Sequence, residues 1–305
     1  MFFMQEVLSF AKSQLNNMQK TYAPFTVAAP SGAIFRAKKN GVTITAYRSG
    51  KVMFQGNNTT VESKQWQANA TKKVGAPTPT GLPQGFANWS VLGSDEVGTG
   101  SYFGPLTVAA VYVDAAHLDR VRQLGIQDSK KLTDPEIIRM AKQLLTFLPY
   151  HVVNLMPVKY NQLMKQYNQG QLKALCHNLA LQTVIQKISP TKPDGILIDQ
   201  FVAPATYYHY LKGQSKIISE NVYFQIKGEQ AHLAVAAASI IARYISLLAM
   251  DQLTEQAKLT LPIGAGNAVD QIAAKLLHEG KSLDQFAKTH FANTQKAIKI
   301  AKRYD

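Results

Sequence analysis

The sequence predicts an α/β protein in which a small α+β domain precedes a large layered domain with a mixed sheet. The first observation is that apolar strand-like runs alternate with helical patterns beyond residue 89, the order expected of layered α/β domains. The second is a stretch over 69–88 that is rich in Pro, Gly and small polar residues, which is typical of a linker. We therefore expect an N-terminal domain over 1–68, a linker over 69–88 and a large domain over 89–305.

The N-terminal domain is expected to run helix, three strands, helix. Apolar residues from Val7 to Met18 recur at helical spacing. Three strand-like runs follow at 32–38, 41–48 and 51–56, separated by Lys-Asn-Gly and Arg-Ser-Gly, which are typical hairpin-turn sequences. Helices on one face of this sheet leave the other face open for Arg, Lys, Thr and Tyr side chains.

The large domain is expected to alternate strands with helices around one mixed sheet. Its predicted strands are Ser90–Val97, Leu106–Val113, His151–Met156, Gly195–Asp199 and Val222–Ile226. Its predicted helices are Pro135–Phe147, Leu172–Ile188, Leu233–Leu253, Asn267–Glu279 and Leu283–Lys302.

Composition indicates a folded protein with a polyanionic partner. The 305 residues are 46% hydrophobic and carry a net charge of +14, which favours nucleic acid first and an anionic membrane second. Ten of the 33 Lys and Arg residues, but only two acidic residues, lie in 1–88. The N-terminal domain is therefore the more basic part. The single cysteine, Cys176, excludes an internal disulfide framework and a Cys-rich zinc site.

Membrane and export patterns are not supported. The first twelve residues lack a basic leading segment and a small-residue cleavage site. The longest apolar run, Leu233–Met250, contains Arg243 and Ser246, so it is expected to be a buried helix rather than a membrane span. We expect a cytoplasmic monomer that does not bind a membrane.

Four carboxylates stand at the ends of apolar strands or beside them. Asp95 and Glu96 precede a glycine-rich turn, Asp199 ends the run GILID, and Glu229 lies just ahead of the long apolar helix. Buried carboxylates need partners, and oxygen ligands suit Mg²⁺ or Mn²⁺. Two such ions could flank a phosphodiester. From these residues alone the alternative stays open, in which Asp95 caps a turn and Asp199 begins a loop.

Four sequence segments, in this order, closely resemble ribonuclease HIII, a bacterial type 2 ribonuclease H. They are GSDEVGTGSYFGPLTVAAVYV (Gly93–Val113), QDSKKLTD (Gln127–Asp134), ILIDQF (Ile196–Phe201) and KGEQAHLAVAAASIIAR (Lys227–Arg243). A later segment, Lys288–Ala297, also looks like the C-terminal region of that family. The resemblance implies a ribonuclease H-like fold over 89–305 and an N-terminal domain similar to the TATA-box-binding-protein fold.

The implied activity is endonucleolytic cleavage of the RNA strand of RNA/DNA hybrids, leaving 3′-hydroxyl and 5′-phosphate ends. The resemblance implies that the catalytic, metal-binding residues are Asp95, Glu96, Asp199 and Glu229. The residue chemistry accommodates this activity, because Gly98 and Gly100 let the backbone approach a ribose 2′-hydroxyl closely and Thr99 adds a hydroxyl. Ser129, Lys130 and Lys131 could hold phosphates beside the site; the alternative is that they cap a helix and form a solvated basic pair. The basic residues of 1–88 would hold the hybrid backbone without reading its sequence.

Four features favour ribonuclease HIII over the related ribonuclease HII: Glu229 in place of Asp, Thr99 in place of Arg between two glycines, the run Phe103-Gly104-Pro105, and the N-terminal extension. Ile263 departs from the pattern, because a basic residue is expected there, and this puts a substrate contact at that position in doubt. Two alternatives remain: incision at single ribonucleotides in DNA, as by ribonuclease HII, and a non-catalytic hybrid-binding protein.

Overall fold

The computed structural model describes residues 4–10, 12–30, 32–47, 50–56, 59–67, 81–126 and 132–302. The chain divides into two compact units, Met1–Thr80 and Gly81–Asp305.

The first unit is a five-stranded antiparallel sheet with two helices. The strand order is β1-β5-β4-β3-β2. The strands are β1 (Met4–Ser9), β2 (Thr26–Val27), β3 (Ala33–Lys39), β4 (Val42–Tyr47) and β5 (Lys51–Gly56), and the helices are α1 (Lys12–Tyr22) and α2 (Thr59–Gln67).

The helix predicted from Val7 is wrong at its start, because 4–9 form a strand. β1 pairs along its whole length with β5, and Val7 is 47% exposed. The apolar residues of this segment fit both a period of two and the helical period. Pairing with β5 over six residues satisfies the inward-facing backbone groups of β1 and an edge of β5 that would otherwise be unpaired, which decides between the two periods.

One face of the first sheet is covered and the other is mostly polar. Val42, Ile44 and Ala46 of β4 are buried with Leu15 and Met18 of α1. The opposite face carries basic and polar side chains from neighbouring strands, with Arg36 paired to Thr45 and Lys38 paired to Thr43. The residues that the strand pairing places on that face are Val7, Arg36, Lys38, Thr43, Thr45, Tyr47, Lys51, Met53 and Gln55, so the face is mostly but not wholly polar.

The second unit is built on a mixed sheet with the order β10-β9-β6-β7-β8. β10, β9 and β6 are parallel, whereas β7 is antiparallel to both β6 and β8. The predicted mixed sheet is therefore confirmed. The strands, each within one residue of its predicted ends, are β6 (Val91–Val97), β7 (Leu106–Val113), β8 (Tyr150–Leu155), β9 (Gly195–Asp199) and β10 (Val222–Gln225).

Helices cover both faces of this sheet. α9 and α4 pack on one face, and α6 and α7 pack on the other, giving three layers. The described helices of this unit are α3 (Leu118–Gln123), α4 (Asp134–Leu144), α5 (Pro157–Leu163), α6 (Gln169–Ile188), α7 (Pro204–Tyr210), α8 (Gly228–Ala231), α9 (Leu233–Ala257), α10 (Asn267–His278) and α11 (Ala292–Ala301).

The N-terminal half of α9 lies directly on β6. A Cβ placed on Gly93 would fall 2.4 Å from the Val235 nitrogen, so only glycine permits this approach. By length and composition α9 is long and apolar enough to cross a membrane, but most of it is buried inside this unit. It is the core helix that the sequence predicts.

The single helix predicted over Leu283–Lys302 is interrupted. A 3₁₀ turn at Leu283–Gln285 and α11 flank a segment whose backbone pairs with another loop. The Gly104 nitrogen donates to the Phe286 oxygen (2.9 Å), and the Lys288 nitrogen donates to the Tyr102 oxygen (2.8 Å). These backbone groups are therefore not available for helical hydrogen bonds.

Part of the stretch assigned to the linker belongs to the second unit. Phe86 is 3% exposed and packs against Trp89, Tyr223 and His232, with ring centroids 5.2–5.8 Å apart. A truncation intended to leave the second unit intact must therefore end before residue 81.

His232 ties the start of α9 to the segment that precedes β6 and should make the protein sensitive to acid. Its Nδ1 accepts from the Ala234 nitrogen (3.0 Å), and its Nε2 lies 3.2 Å from the Trp89 oxygen. Burial lowers the pKa of His232 to about 4. The unfolded chain therefore binds the proton more tightly, and stability is lost as pH falls from about 6.5 to about 4, by about 3 kcal/mol.

Chemical denaturation at several pH values measures this loss. His232→Asn keeps an acceptor for the helix start but cannot titrate, so its stability should fall less over the same pH interval. Equal pH dependence of the two proteins would contradict the assignment to His232.

Candidate active site

Two predicted carboxylates meet at the carboxyl ends of parallel strands. Ser94 of β6 is paired with Ile198 of β9, so the next residues, Asp95 and Asp199, lie side by side. Glu96 follows Asp95 on β6, where its backbone nitrogen donates to Asp95 Oδ1 at 2.7 Å. This hydrogen bond holds the Asp95 side chain at the end of the strand.

A third element brings Glu229 to the same end of the sheet. β10 pairs with β9 at Gln225 and Asp199, and the chain then turns through Lys227, whose φ of 59° is left-handed. The turn points the Gly228 nitrogen at Asp199 Oδ1, 2.8 Å away. Glu229, in α8, is 9% exposed.

All four predicted carboxylates line one cavity of about 300 Å³. The structure thus brings together residues that are up to 134 positions apart in sequence, from Asp95 to Glu229. The complete lining is Asp95, Glu96, Val97, Asp199, Glu229, Ser239 and Arg243.

The cavity is unfavourable for several negative charges without a cation. Burial and the negative charges of Asp199 and Glu96 raise the pKa of Asp95 to about 7, although a hydrogen bond from Ser239 opposes this. A divalent ion would relieve the repulsion. The donor set, four carboxylates and no sulfur, suits a hard ion such as Mg²⁺ or Mn²⁺.

The carboxylate side chains do not converge on a single point at metal-binding distance. Among the described residues, no three His, Cys, Asp or Glu side chains form a group ready to hold a metal ion. Existing hydrogen bonds explain part of this, because Asp199 accepts from Gly228 and Glu96 is turned towards α6. The donor chemistry therefore fits a metal ion.

Glu96 is held by two residues of α6 that were not predicted from the sequence. Lys173 Nζ lies 2.8 Å from Oε1, and His177 Nε2 lies 3.0 Å from Oε2. Burial by itself raises the pKa of Glu96, but the hydrogen bonds and charges of His177 and Lys173 outweigh it and hold that pKa below its usual value. Glu96 is therefore ionised in this setting. The available sequence signal was a Lys and a His four residues apart on an apolar helix.

The glycine-rich turn after β6 is shaped by one of its glycines. Gly98 has a φ of +91°, and a Cβ there would fall 2.1 Å from the Pro105 oxygen, so a side chain is excluded. Gly100 faces open space instead. Thr99 Oγ1 is buried and has no hydrogen-bond partner among the described residues, whereas the Thr99 carbonyl accepts from Gln169 at 3.0 Å.

The residues after this turn are anchored from two directions. The Tyr102 nitrogen donates to the Gly264 oxygen at 2.8 Å. Lys288 is fully buried, and its ammonium group lies 2.6 Å from the Gly104 oxygen. The turn that carries Gly98 to Gly100 is therefore followed by a firmly held segment.

Ser129, Lys130 and Lys131 lie outside the described residues. The neighbouring helix start is described: Arg243 of α9 donates to Asp134 Oδ1 (2.6 Å) and to the Leu132 oxygen (3.1 Å). Arg243 also lines the carboxylate cavity. It thus connects that cavity to the start of α4.

Family models match both units. One described as "Ribonuclease HII" matches residues 92–294, and one described as a domain of unknown function (DUF3378) matches residues 5–78.

Curated relatives are similar over almost the full chain. A protein of Limosilactobacillus fermentum named Ribonuclease HIII is 58% identical over 304 residues, covering 98% of this chain and 100% of that protein. A Ribonuclease HIII of Leuconostoc mesenteroides is 52% identical over 302 residues, covering 97% of this chain and 100% of that protein.

Solved structures are similar in fold. Bst-RNase HIII in complex with Mn²⁺ has a TM-score of 0.71 and 40% identity, covering 98% of this chain and 100% of that one. RNase H3 of Aquifex aeolicus has a TM-score of 0.56 and 22% identity over 93% of this chain and 99% of that one, which supports the fold alone.

Proposed function

The chain belongs to the ribonuclease HIII family, and we propose that Asp95, Glu96, Asp199 and Glu229 are the metal-binding catalytic residues with which it cleaves RNA/DNA hybrids. It is a ribonuclease H, an endonuclease that uses divalent metal ions, and a family structure holds Mn²⁺. The observation that carries the residue assignment is that all four carboxylates line one cavity at the ends of β6, β9 and β10.

The four carboxylates would hold divalent ions, which when bound activate a water molecule and stabilise the leaving oxygen of the phosphodiester. Asp95 is kept in place by the Glu96 nitrogen, and Asp199 by the Gly228 nitrogen. These bonds orient the carboxylates before substrate arrives, which reduces the reorganisation needed for catalysis. The expected products carry 3′-hydroxyl and 5′-phosphate ends.

Selection of RNA is assigned to the glycine-rich turn. The open surface at Gly100 admits a ribose, and nearby peptide groups can bond its 2′-hydroxyl, the group that distinguishes RNA from DNA. Two features support this placement: the buried Thr99 hydroxyl, which has no partner among the described residues, and the hydrogen bond from Gln169 that holds the Thr99 carbonyl. Ser129 and Lys130 are proposed to contact phosphates.

The first unit is proposed to bind the hybrid backbone. Arg36, Lys38 and Lys51 lie on the uncovered face of its sheet. Such a face supplies affinity through phosphates and does not read sequence.

A cleavage assay on four duplexes tests the function. With Mg²⁺ or Mn²⁺, we expect cutting of a long RNA/DNA hybrid and no cutting of RNA or DNA duplexes. Efficient cutting only of a DNA duplex with one embedded ribonucleotide would favour the ribonuclease HII-like alternative. Hybrid binding without any cutting would favour the non-catalytic alternative.

The cytoplasm and a monomeric state are further parts of the proposal. The long apolar helix is largely buried, which is consistent with a soluble enzyme. Light scattering during size-exclusion chromatography would reveal a dimer, and cell fractionation would reveal a membrane-bound pool.

A further inference from the structure

The carboxylate of Glu96 is gripped at both oxygens by one face of α6. Lys173 and His177, one helical turn apart, approach Oε1 at 2.8 Å and Oε2 at 3.0 Å. Residues four apart lie on the same side of a helix, so both reach one carboxylate from the same direction. We call this arrangement the Glu96 clamp, comprising Glu96, Lys173 and His177.

The clamp is buried and supported on its far side. His177 is 0% exposed and Lys173 is 9% exposed. His177 Nδ1 lies 2.9 Å from Ser94 Oγ, and its ring is stacked on Phe201 with centroids 5.2 Å apart. Lys173 Nζ lies 4.0 Å from the centre of the same Phe201 ring. These contacts restrict both side chains to one orientation.

A clamp of this kind leaves room for a metal ion. Each carboxylate oxygen has about two lone-pair directions, and the clamp occupies one direction at each oxygen of Glu96. Glu96 also lines the carboxylate cavity, so a second direction at each oxygen can serve a metal ion there. The clamp therefore sets which way Glu96 presents its free lone pairs.

Lys173 differs in charge from the groups that usually hydrogen-bond to a metal ligand. Partners of metal ligands are commonly carboxylates or carbonyls, which increase ligand basicity. Here the partner is an ammonium group held 2.8 Å from Glu96 Oε1 in a buried setting, where it would repel a divalent ion bound to the same carboxylate. The phosphate of a bound substrate brings negative charge that offsets this repulsion.

We propose that Lys173 and His177 are positioning residues that orient Glu96 for its metal ion and weaken metal binding until substrate is present. This proposal rests on the four-carboxylate metal site proposed above. Neither residue is expected to touch the substrate.

Mn²⁺ titration of the substrate-free, full-length protein, monitored by the electron paramagnetic resonance of free Mn²⁺, tests the charge effect. Lys173→Met removes the charge and keeps the length of the side chain. We expect it to tighten Mn²⁺ binding by about threefold or more, because a repulsive charge is lost. At saturating Mn²⁺ and hybrid, kcat should nevertheless fall about 10–100-fold, the usual loss when a ligand's support is removed, with KM little changed.

His177→Gln tests orientation separately. Gln can place a donor near Glu96 but cannot stack on Phe201 in the same way, so kcat should lie between that of the unaltered protein and that of His177→Ala. A kcat for His177→Gln no better than for His177→Ala would contradict the orienting role.

Lys187→Met is the matched control for charge. Lys187 is on the same helix, but it donates to the Tyr150 oxygen and lies about 20 Å away along the axis from Lys173. An equal change in Mn²⁺ affinity in this variant would overturn the proposal.

Two outcomes separate this proposal from the one on which it rests. If Asp95→Asn binds Mn²⁺ as the unaltered protein does, the proposed metal site is wrong. If Asp95→Asn loses Mn²⁺ while Lys173→Met matches the unaltered protein in both Mn²⁺ affinity and kcat, the clamp alone is wrong. Thermal unfolding of each variant shows whether it is folded. If Lys173→Met does not fold because the Glu96 charge has lost its partner, the Glu96→Gln, Lys173→Met double variant, which removes both buried charges, tests whether that unpaired charge is the cause.

Discussion

Replacing Asp95 with Asn is expected to abolish Mg²⁺-dependent cleavage while leaving hybrid binding intact. Asp95 lines the cavity beside Asp199 and Glu96, and its burial together with their charges raises its pKa. Asn keeps the shape and the acceptor for the Glu96 nitrogen but removes the negative charge that would bind the ion. Loss of several kcal/mol of transition-state stabilisation corresponds to a rate at least about 10³-fold lower.

Single-turnover cleavage and an equilibrium binding assay on the same hybrid measure the two effects. Asp251→Asn is a matched control, because Asp251 is exposed on the same unit and outside the cavity lining. Cleavage by Asp95→Asn at the rate of Asp251→Asn would show that the carboxylate assignment is wrong.

The same substitution should stabilise the metal-free protein. The pKa of Asp95 is about 7 in the folded protein and near 4 in the unfolded chain. The folded protein therefore holds the proton more tightly. Stability is therefore lost as pH rises from about 4 to about 7, by at most about 4 kcal/mol. In EDTA at pH 8, Asp95→Asn should unfold at a higher temperature than the unaltered protein. At pH 4 the difference should be small.

The sheet of the second unit was predictable from sequence because its three central strands, β6, β7 and β9, are largely apolar on both faces. β7 is buried at all eight positions, and such a run leaves few alternatives to a central strand. The ends of β6 and β9 were equally clear, because Asp95 and Asp199 are carboxylates that follow buried runs. Asp95 and Asp199 are close in space because β6 and β9 pair in parallel. That pairing could not be read from the sequence.

Other features depended on contacts that sequence patterns do not report. The segment of β1 fits two periods, and its pairing with β5 decided between them. Lys173 and His177 looked like ordinary members of an apolar helix, and only the packing of α6 against the end of β6 brings them to Glu96. The role of Lys173 becomes visible only through its partner, Glu96, which lies 77 positions earlier in the sequence.

Deleting residues 1–80 is expected to weaken hybrid binding greatly and to make it less sensitive to salt. This unit holds ten basic residues against two acidic ones, and its uncovered face carries Arg36, Lys38 and Lys51. If about 6–10 phosphates are contacted, affinity of the full chain should fall about 10³–10⁵-fold between about 50 and about 200 mM salt. The deletion ends at Thr80 because Phe86 is part of the second core.

Cleavage at saturating hybrid should persist in the truncated protein, because the four carboxylates all belong to the second unit. In the full chain, Lys38→Gln with Lys51→Gln should reduce the slope of log affinity against log salt by about one for each phosphate that is no longer neutralised. Lys20→Gln with Lys64→Gln removes the same charge from α1 and α2, on the covered side of the sheet. Equal slopes for the two double variants would show that net charge, rather than the uncovered face, provides the affinity. A slope unaltered by the deletion would assign hybrid binding to the second unit alone.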